Sequence, residues 1–377
     1  MVHPFTSQKF RFWSFVSMFL LVFVHGYNLE IRYLEPWTMP GEPLTITGFT
    51  EYFLANGIFR FRIPMLFAIS GYLFALHDQT PHPVRMKKRL RTLLLPYLLW
   101  SAFAILMCFG LELIPYSRNL IANSHVLQID ESKVLIHDYA WYEVLARWIV
   151  FPVSYQLWFL RVLLIYNLAY PAIRYLVTNK TARRIFFPIA FLLWLSTFGL
   201  LFIEGEGLLF FSLGVWLQKS GTSIETPLRG TAPAPWGAVF ISMALIKTLL
   251  AFNGADLLGS YQEPVLTILH KGVVASGLIA CWYGCDGWVR WCMARPWFVW
   301  LSAFSFVIYT LHAPLVAFAI NGVLDILLPV KGAHLITFFV LPLAIIIFCI
   351  AVGAVLRTIS PSLYGVITGG RGLGGSI

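Results

Sequence analysis

The sequence predicts an all-α integral membrane protein, a bundle of about ten transmembrane helices with both termini cytoplasmic. Three observations predict it. Hydrophobic residues make up 59% of the 377 and charged residues only 12%, with a mean hydropathy of +0.76, so what remains cannot build a water-soluble surface. Apolar runs of bilayer length recur along the whole chain. Lysine and arginine gather on alternate connections between those runs.

Each crossing needs about 20 apolar residues, and the spans are read at 12–29, 54–76, 92–114, 156–178, 185–203, 207–218, 236–253, 265–285, 297–320 and 335–356. Polar and aromatic residues stand where a cleavage site after the first span would need small ones, so that span is kept as a permanent helix. The second carries Arg60, Arg62, Pro64 and a Ser70-Gly71-Tyr72 break, features that a purely structural span rarely needs. Ser70 and Gly71 are small enough to let helices approach closely. The sixth span is short and is expected to tilt or re-enter.

With the N-terminus inside, the cytoplasmic segments hold 17 cationic side chains, among them Arg85, Lys87, Lys88, Arg89 and Arg91. The outer segments hold five, Arg32, Arg118, Lys133, Arg147 and Lys331. An even number of spans follows from this asymmetry. Topology and contact with anionic membrane lipids account for the net charge of +10. No nucleic-acid partner is expected, because the basic residues sit in short loops and no recognition motif accompanies them.

The five cysteines lie mostly in or beside spans, and no histidine or acidic pair completes a metal set around Cys281 and Cys285. No metal site is therefore expected. P-loop, nucleophile-elbow and dinucleotide motifs are absent, and no cofactor is expected to be bound permanently. Two connections are long. The outer one, 115–155, includes Asp130-Glu131, His137-Asp138 and Trp141-Tyr142. It either covers the bundle and holds a sugar or is an ordinary interfacial loop with an aromatic belt. The inner one, 218–235, is rich in Gly, Thr and Pro and reads as a flexible linker; the Gly-rich tail is read as disordered. Glu204 and Glu206, at the outer turn before the sixth span, are expected to be solvated.

Ionisable groups within spans are costly and are functional candidates by default. Here they are His25, Arg60, Arg62, Arg161, Lys247, Lys271 and His312, with Glu112 at an outer edge. Histidine takes and returns a proton near neutrality, and His25 stands near the outer end of the first span. Arg60 and Arg62 lie at a similar depth in the second. Two residues apart on a helix, they point to nearly opposite faces, so at least one faces the interior; Arg62 is favoured, and Arg60 can reach headgroups by extending along the surface. Tyr309 and His312, three apart, share adjoining faces.

Five stretches resemble, in order, the membrane-bound acyltransferase family 3, bacterial O-acyltransferases that modify surface polysaccharides and other extracytoplasmic acceptors. Met18-Phe19-Leu20-Leu21-Val22-Phe23-Val24-His25 is similar to the first-helix motif that ends in the family's catalytic histidine. Pro64-Met65-Leu66-Phe67-Ala68-Ile69-Ser70-Gly71-Tyr72-Leu73-Phe74 resembles its "plFFviSGyl" stretch. Lys88-Arg89-Leu90-Arg91-Thr92-Leu93-Leu94-Leu95-Pro96-Tyr97 resembles "kRl.rll.Py", and Leu157-Trp158-Phe159-Leu160 resembles "HLWFL". Ser305-Phe306-Val307-Ile308-Tyr309-Thr310-Leu311-His312-Ala313-Pro314-Leu315 resembles "sf.iY..H.pl". The resemblance covers residues 1–360 as one transmembrane domain, leaving 361–377 as a flexible cytoplasmic tail.

Two positions depart from the pattern. The family's arginine eleven residues before the histidine is Ser14 here, with Arg11 three residues earlier on roughly the same face and about 21 Å below His25. Gln156 stands where "HLWFL" begins with histidine, which leaves His25 as the better base.

What the resemblance implies is acyl transfer in the bacterial inner membrane, from acyl-CoA, most simply acetyl-CoA, to a hydroxyl of an extracytoplasmic glycan or similar acceptor. His25 would act as general base or transient acyl carrier, and Arg62 would offset charge on the acyl oxygen. Candidate substrate contacts are Arg60, Arg161, Trp158, Tyr309, His312 and Arg11, with Arg89 and its basic neighbours for the phosphates of CoA. The alternative is a secondary transporter or flippase for an anionic lipid-linked glycan, which predicts internal repeats and broken helices at matched positions.

Overall fold

Prolines open many of the helices, as expected of a residue whose missing N–H costs nothing in a first turn. A computed structural model describes residues 3–28 and 35–373; Arg32 lies outside the described residues. The helices are α1 (Pro4–His25), α2 (Ile46–Tyr52), α3 (Arg62–Leu76), α4 (His82–Arg89), α5 (Leu95–Leu111), α6 (Pro115–Ser124), α7 (Trp141–Ile149), α8 (Trp158–Leu168), α9 (Tyr170–Thr178) and α10 (Lys180–Leu195). They continue with α11 (Gly205–Lys219), α12 (Pro233–Asn253), α13 (Ala255–Leu258), α14 (Gln262–Gly284), α15 (Asp286–Met293), α16 (Pro296–Ser302), α17 (Ser305–Leu327), α18 (Ala333–Ile359) and α19 (Pro361–Thr368). Among the described residues the fold is all-helical, with two isolated β-bridges and no strand.

Among the described residues, six helical stretches are long and apolar enough to cross a membrane: Ile46–Leu76, His82–Leu111, Pro233–Asn253, Ala255–Gly284, Ser305–Leu327 and Ala333–Ile359. A seventh counts if α8 and α9, bent by 66° at their junction, form one broken span. The expected ten are therefore met in part. Helices α10 and α11 run for only 16 and 15 residues, and α1 carries Ser7, Gln8, Lys9 and Arg11 in its first half.

Helix α1 packs against α3, α15, α17 and α18, while α12 pairs with α14 and α17 with α18. Helices α3 and α11 approach each other closely. A Cβ on Gly71 would overlap the Phe211 carbonyl, and one on Gly214 would overlap the carbonyl of Ala68, so the two glycines meet reciprocally across the crossing. Gly71→Ala and Gly214→Ala are each expected to destabilise the protein by about 1–3 kcal/mol through overpacking. Thermal unfolding in detergent measures this, and unaltered melting in both variants would show that the crossing is looser.

Segment 115–155 lies along α5. Trp148 Nε1 donates to the Leu98 carbonyl at 2.9 Å, Ser101 Oγ to that of Trp148 at 2.7 Å, and Tyr97 Oη to that of Ile149 at 2.8 Å. Glu112, buried, accepts from the Ile136 and His137 amides at 2.8 and 3.1 Å. Trp141 and Tyr142 are exposed.

At the opposite end from His25, Asp78 gathers Arg85, Arg174 and Lys219 at 3.1, 3.0 and 2.5 Å. The connection expected to be a flexible linker is tied down there. The Ile224 carbonyl accepts from Trp282 Nε1 at 2.8 Å, and Glu225 accepts from Thr6 Oγ1 at 2.6 Å. The segment expected to be a flexible tail begins with α19, whose Tyr364 is fully buried, and Arg371 beyond it donates to the Thr92 carbonyl at 2.8 Å.

Candidate functional site

A cavity of about 400 Å³ opens among α1, α3, α8, α10, α11, α14 and α17. It brings together His25, Arg60, Arg62, Trp158 and Tyr309 from the sequence-derived candidates.

Two interruptions shape it. The stretch Ile46–Leu76 leaves α-geometry between Phe53 and Phe61, first as a π-helical turn (Phe53–Gly57), then as a 3-10 turn (Ile58–Phe61). Such breaks redirect side chains and recur at functional sites. The expectation that Arg60 and Arg62 face opposite ways fails for this reason: both line the cavity. Arg60 Nε donates to the Ala55 carbonyl at 3.1 Å and Arg62 Nη1 to that of Phe59 at 2.7 Å, so the guanidinium groups also bind backbone that the break releases. Arg62 is buried, with 4% of its surface exposed.

The other interruption is in α17, where Ala313 leaves helical geometry and Pro314 has no N–H to offer. The carbonyls set free are met by Gln156, whose Nε2 lies 3.2, 3.1 and 3.2 Å from those of Tyr309, Thr310 and Ala313. Ser154 Oγ adds a bond to the Ala313 carbonyl at 2.9 Å, and Tyr309 Oη donates to the Gln156 carbonyl at 2.6 Å. Gln156 thus supplies two amide hydrogens where an imidazole offers at most one at each nitrogen.

That clamp presents Tyr155 to the end of α1, where its Oη shares a 3.0 Å hydrogen bond with His25 Nδ1. His25 also stacks on His312, with centroids 5.3 Å apart and rings inclined by 29°. His312 donates from Nδ1 to the Ile308 carbonyl of its own helix at 2.8 Å, so Nε2 carries the lone pair. Being fully buried, it supports His25 from behind.

Of the far wall, sequence reasoning singled out only Lys271. Glu204 and Glu206, expected to be solvated, line the cavity, and Glu206 accepts from Trp194 Nε1 at 3.2 Å. His270 and Lys271 line it from α14. His270 Nδ1 lies 3.1 Å from Lys247 Nζ, which also donates to the Asn56 carbonyl at 2.8 Å and so braces the π-turn. The usable signal was the pair of lysines within spans; the glutamates gave none, because a turn between short helices reads as solvent-exposed.

Besides His312, which stands behind His25, three candidates fall outside the lining. Arg161 donates to the Val150 carbonyl and sits 5.5 Å from the Phe202 ring. Arg11 binds Ser302 Oγ at 2.7 Å and the Val299 carbonyl at 2.6 Å, which fastens α1 to α16. Arg89 lies over Phe74 at 5.2 Å, near the Asp78 cluster. Among the described residues no group of three or more His, Cys, Asp or Glu side chains could hold a metal.

A helical protein with several membrane-length spans and a histidine–arginine cavity between them is the class defined so far. A family model described as an acyltransferase domain matches residues 14–357, and the chain belongs to that family. Its sequence is 24% identical over 370 residues to the succinoglycan biosynthesis protein ExoH of Rhizobium meliloti (strain 1021), covering 93% of this chain and 89% of the relative. No solved structure matches the chain.

Proposed function

We propose that the protein is a multi-pass O-acyltransferase of the bacterial inner membrane, with about ten spans and both termini cytoplasmic. It moves an acyl group, most simply acetyl, from acyl-CoA to a hydroxyl of an extracytoplasmic glycan. The observation that carries the reading is His25, hydrogen-bonded to Tyr155 and sharing one cavity with Arg60 and Arg62. The family supports acyl transfer, and the relative's name supports a polysaccharide acceptor.

In the proposed reaction His25 takes the proton of the acceptor hydroxyl as its oxygen attacks the thioester carbonyl. Arg62 meets the negative charge that gathers on the carbonyl oxygen. The C–S bond then breaks, and the thiolate of CoA takes up the proton. The cationic end around Arg85 and Arg89 suits the phosphates of CoA, and three cations sharing the one Asp78 carboxylate leave a positive surplus there. Short spans such as α10 and α11 cross by tilt or by local thinning of the bilayer.

Purified protein given radiolabelled acetyl-CoA and cell-envelope fractions should label polysaccharide with an alkali-labile ester. Folded protein that leaves every envelope fraction unlabelled would overturn the proposal. The topology has its own check. In a background without native cysteines, Ser132→Cys should react with an impermeant reagent from outside and Thr80→Cys should not. Labelling of both from one side would refute the orientation.

A further inference from the structure

Opposite charges line the cavity from three sides. Glu204 and Glu206 come from the start of α11, Lys271 from α14, and Arg62 from the break in the stretch Ile46–Leu76. Among the described residues no ion pair joins either glutamate to Arg62 or Lys271. Three buried polar atoms on the lining residues lack a hydrogen-bond partner there: Glu204 Oε2, Arg62 Nε and Gln156 Oε1. Arg62 and Gln156 are only 4% and 2% exposed, so bulk water does not satisfy them. Buried polar groups left open in this way are explained by a ligand or water that completes them.

The lining fixes what kind of ligand. Its cations Arg60, Arg62 and Lys271 are matched by the carboxylates Glu35, Glu204 and Glu206, so the cavity is no sink for an anion. A carboxyl group accepts hydrogen bonds from hydroxyls whether or not it is ionised, and a protonated one also donates to them; the cations turn away an amine that is protonated. Trp37, Trp158 and Trp194 supply flat apolar walls. The volume of about 400 Å³ lies in the range of small-molecule sites, about 300–1,000 Å³.

We infer that the cavity seats the acceptor as an uncharged sugar ring, with adjacent hydroxyls donating to Glu204 and Glu206 and an apolar ring face against an indole. The subsite selects neutral hexose units against uronate or phosphate-bearing ones, because the balanced lining gives an anion no net attraction while a neutral ring presents hydroxyls to both carboxyl groups. The inference rests on the acyltransferase reading only in taking the bound sugar to be the acceptor.

The test uses the full-length protein in nanodiscs, with tryptophan fluorescence as readout and no acyl-CoA present. A neutral gluco-oligosaccharide is compared with an oligo-uronide of the same length. The neutral probe is expected to bind about tenfold or more tighter, and Glu204→Gln and Glu206→Gln are each expected to raise its Kd about tenfold, with the Kd of acyl-CoA held within about twofold. Uronide binding as tight as neutral binding would overturn the inference, as would wild-type affinity for the neutral probe in both variants. Should the variants not fold, the two-probe comparison on the wild-type chain decides alone. Protein that selects the neutral probe yet transfers no acyl group would sink the acyltransferase reading and leave the subsite standing; acyl transfer without that selectivity does the reverse.

Discussion

Replacing His25 by alanine is expected to leave a folded, inserted protein that transfers acyl groups about 10²–10⁴-fold more slowly, the contribution of a positioned general base. The fold should survive because the packing of this part of α1 rests on Leu21, Val22, Phe23 and Val24, all buried, whereas the imidazole faces the cavity. Chemistry should not survive. Tyr155 is no substitute, since a phenol is a weak base near neutrality, and His312 stands behind His25, outside the cavity lining. Initial rates at matched accumulation, with elution profile as the fold check, measure the effect. A rate above about a tenth of wild type would remove His25 from the role of base or carrier.

Arg62→Lys should separate two uses of a buried cation. Lysine keeps a point charge but loses the planar fork, and the fork here divides its work, one nitrogen donating to the Phe59 carbonyl and another unpartnered in a cavity-lining residue. If Arg62 offsets charge on the acyl oxygen, turnover falls by about 10²–10³, as for removal of an oxyanion donor, while the KM for acyl-CoA holds. A raised KM with full turnover would instead make Arg62 a donor-binding residue. No change in either constant would leave it with only its bond to Phe59.

The candidates that met in the cavity were those with a fixed place in a patterned stretch. His25 ends an apolar run, Trp158 opens a helix, and Tyr309 sits one turn before His312; local sequence carries all three positions. What it does not carry is where helices break relative to one another. Arg60 and Arg62 converge only because the π-turn and 3-10 turn replace regular α-geometry, and that break is braced by Lys247 from a helix almost two hundred residues away. Glu204 and Glu206 were illegible for a related reason. Their burial depends on α10, α11 and α14 meeting around them, and nothing within the turn itself announces it. Segment 115–155 shows the same limit: its polar and aromatic residues fit both readings, whereas its hydrogen bonds to α5 place it beside that helix.

The clamp on α17 also has an order in time. A ribosome makes Ser154 and Gln156 first and the carbonyls of residues 309, 310 and 313 only after a further 153 to 159 residues, which at about 5–20 residues per second is roughly ten to thirty seconds. Through that interval the half-made protein holds a carboxamide whose eventual acceptors do not yet exist, in a medium where an unpaired polar group is costly. The segment that carries Gln156 therefore cannot make these bonds when it is synthesised. They form only once residues 309–313 of α17 have followed, so the contact that presents Tyr155 to His25 waits on a helix made much later.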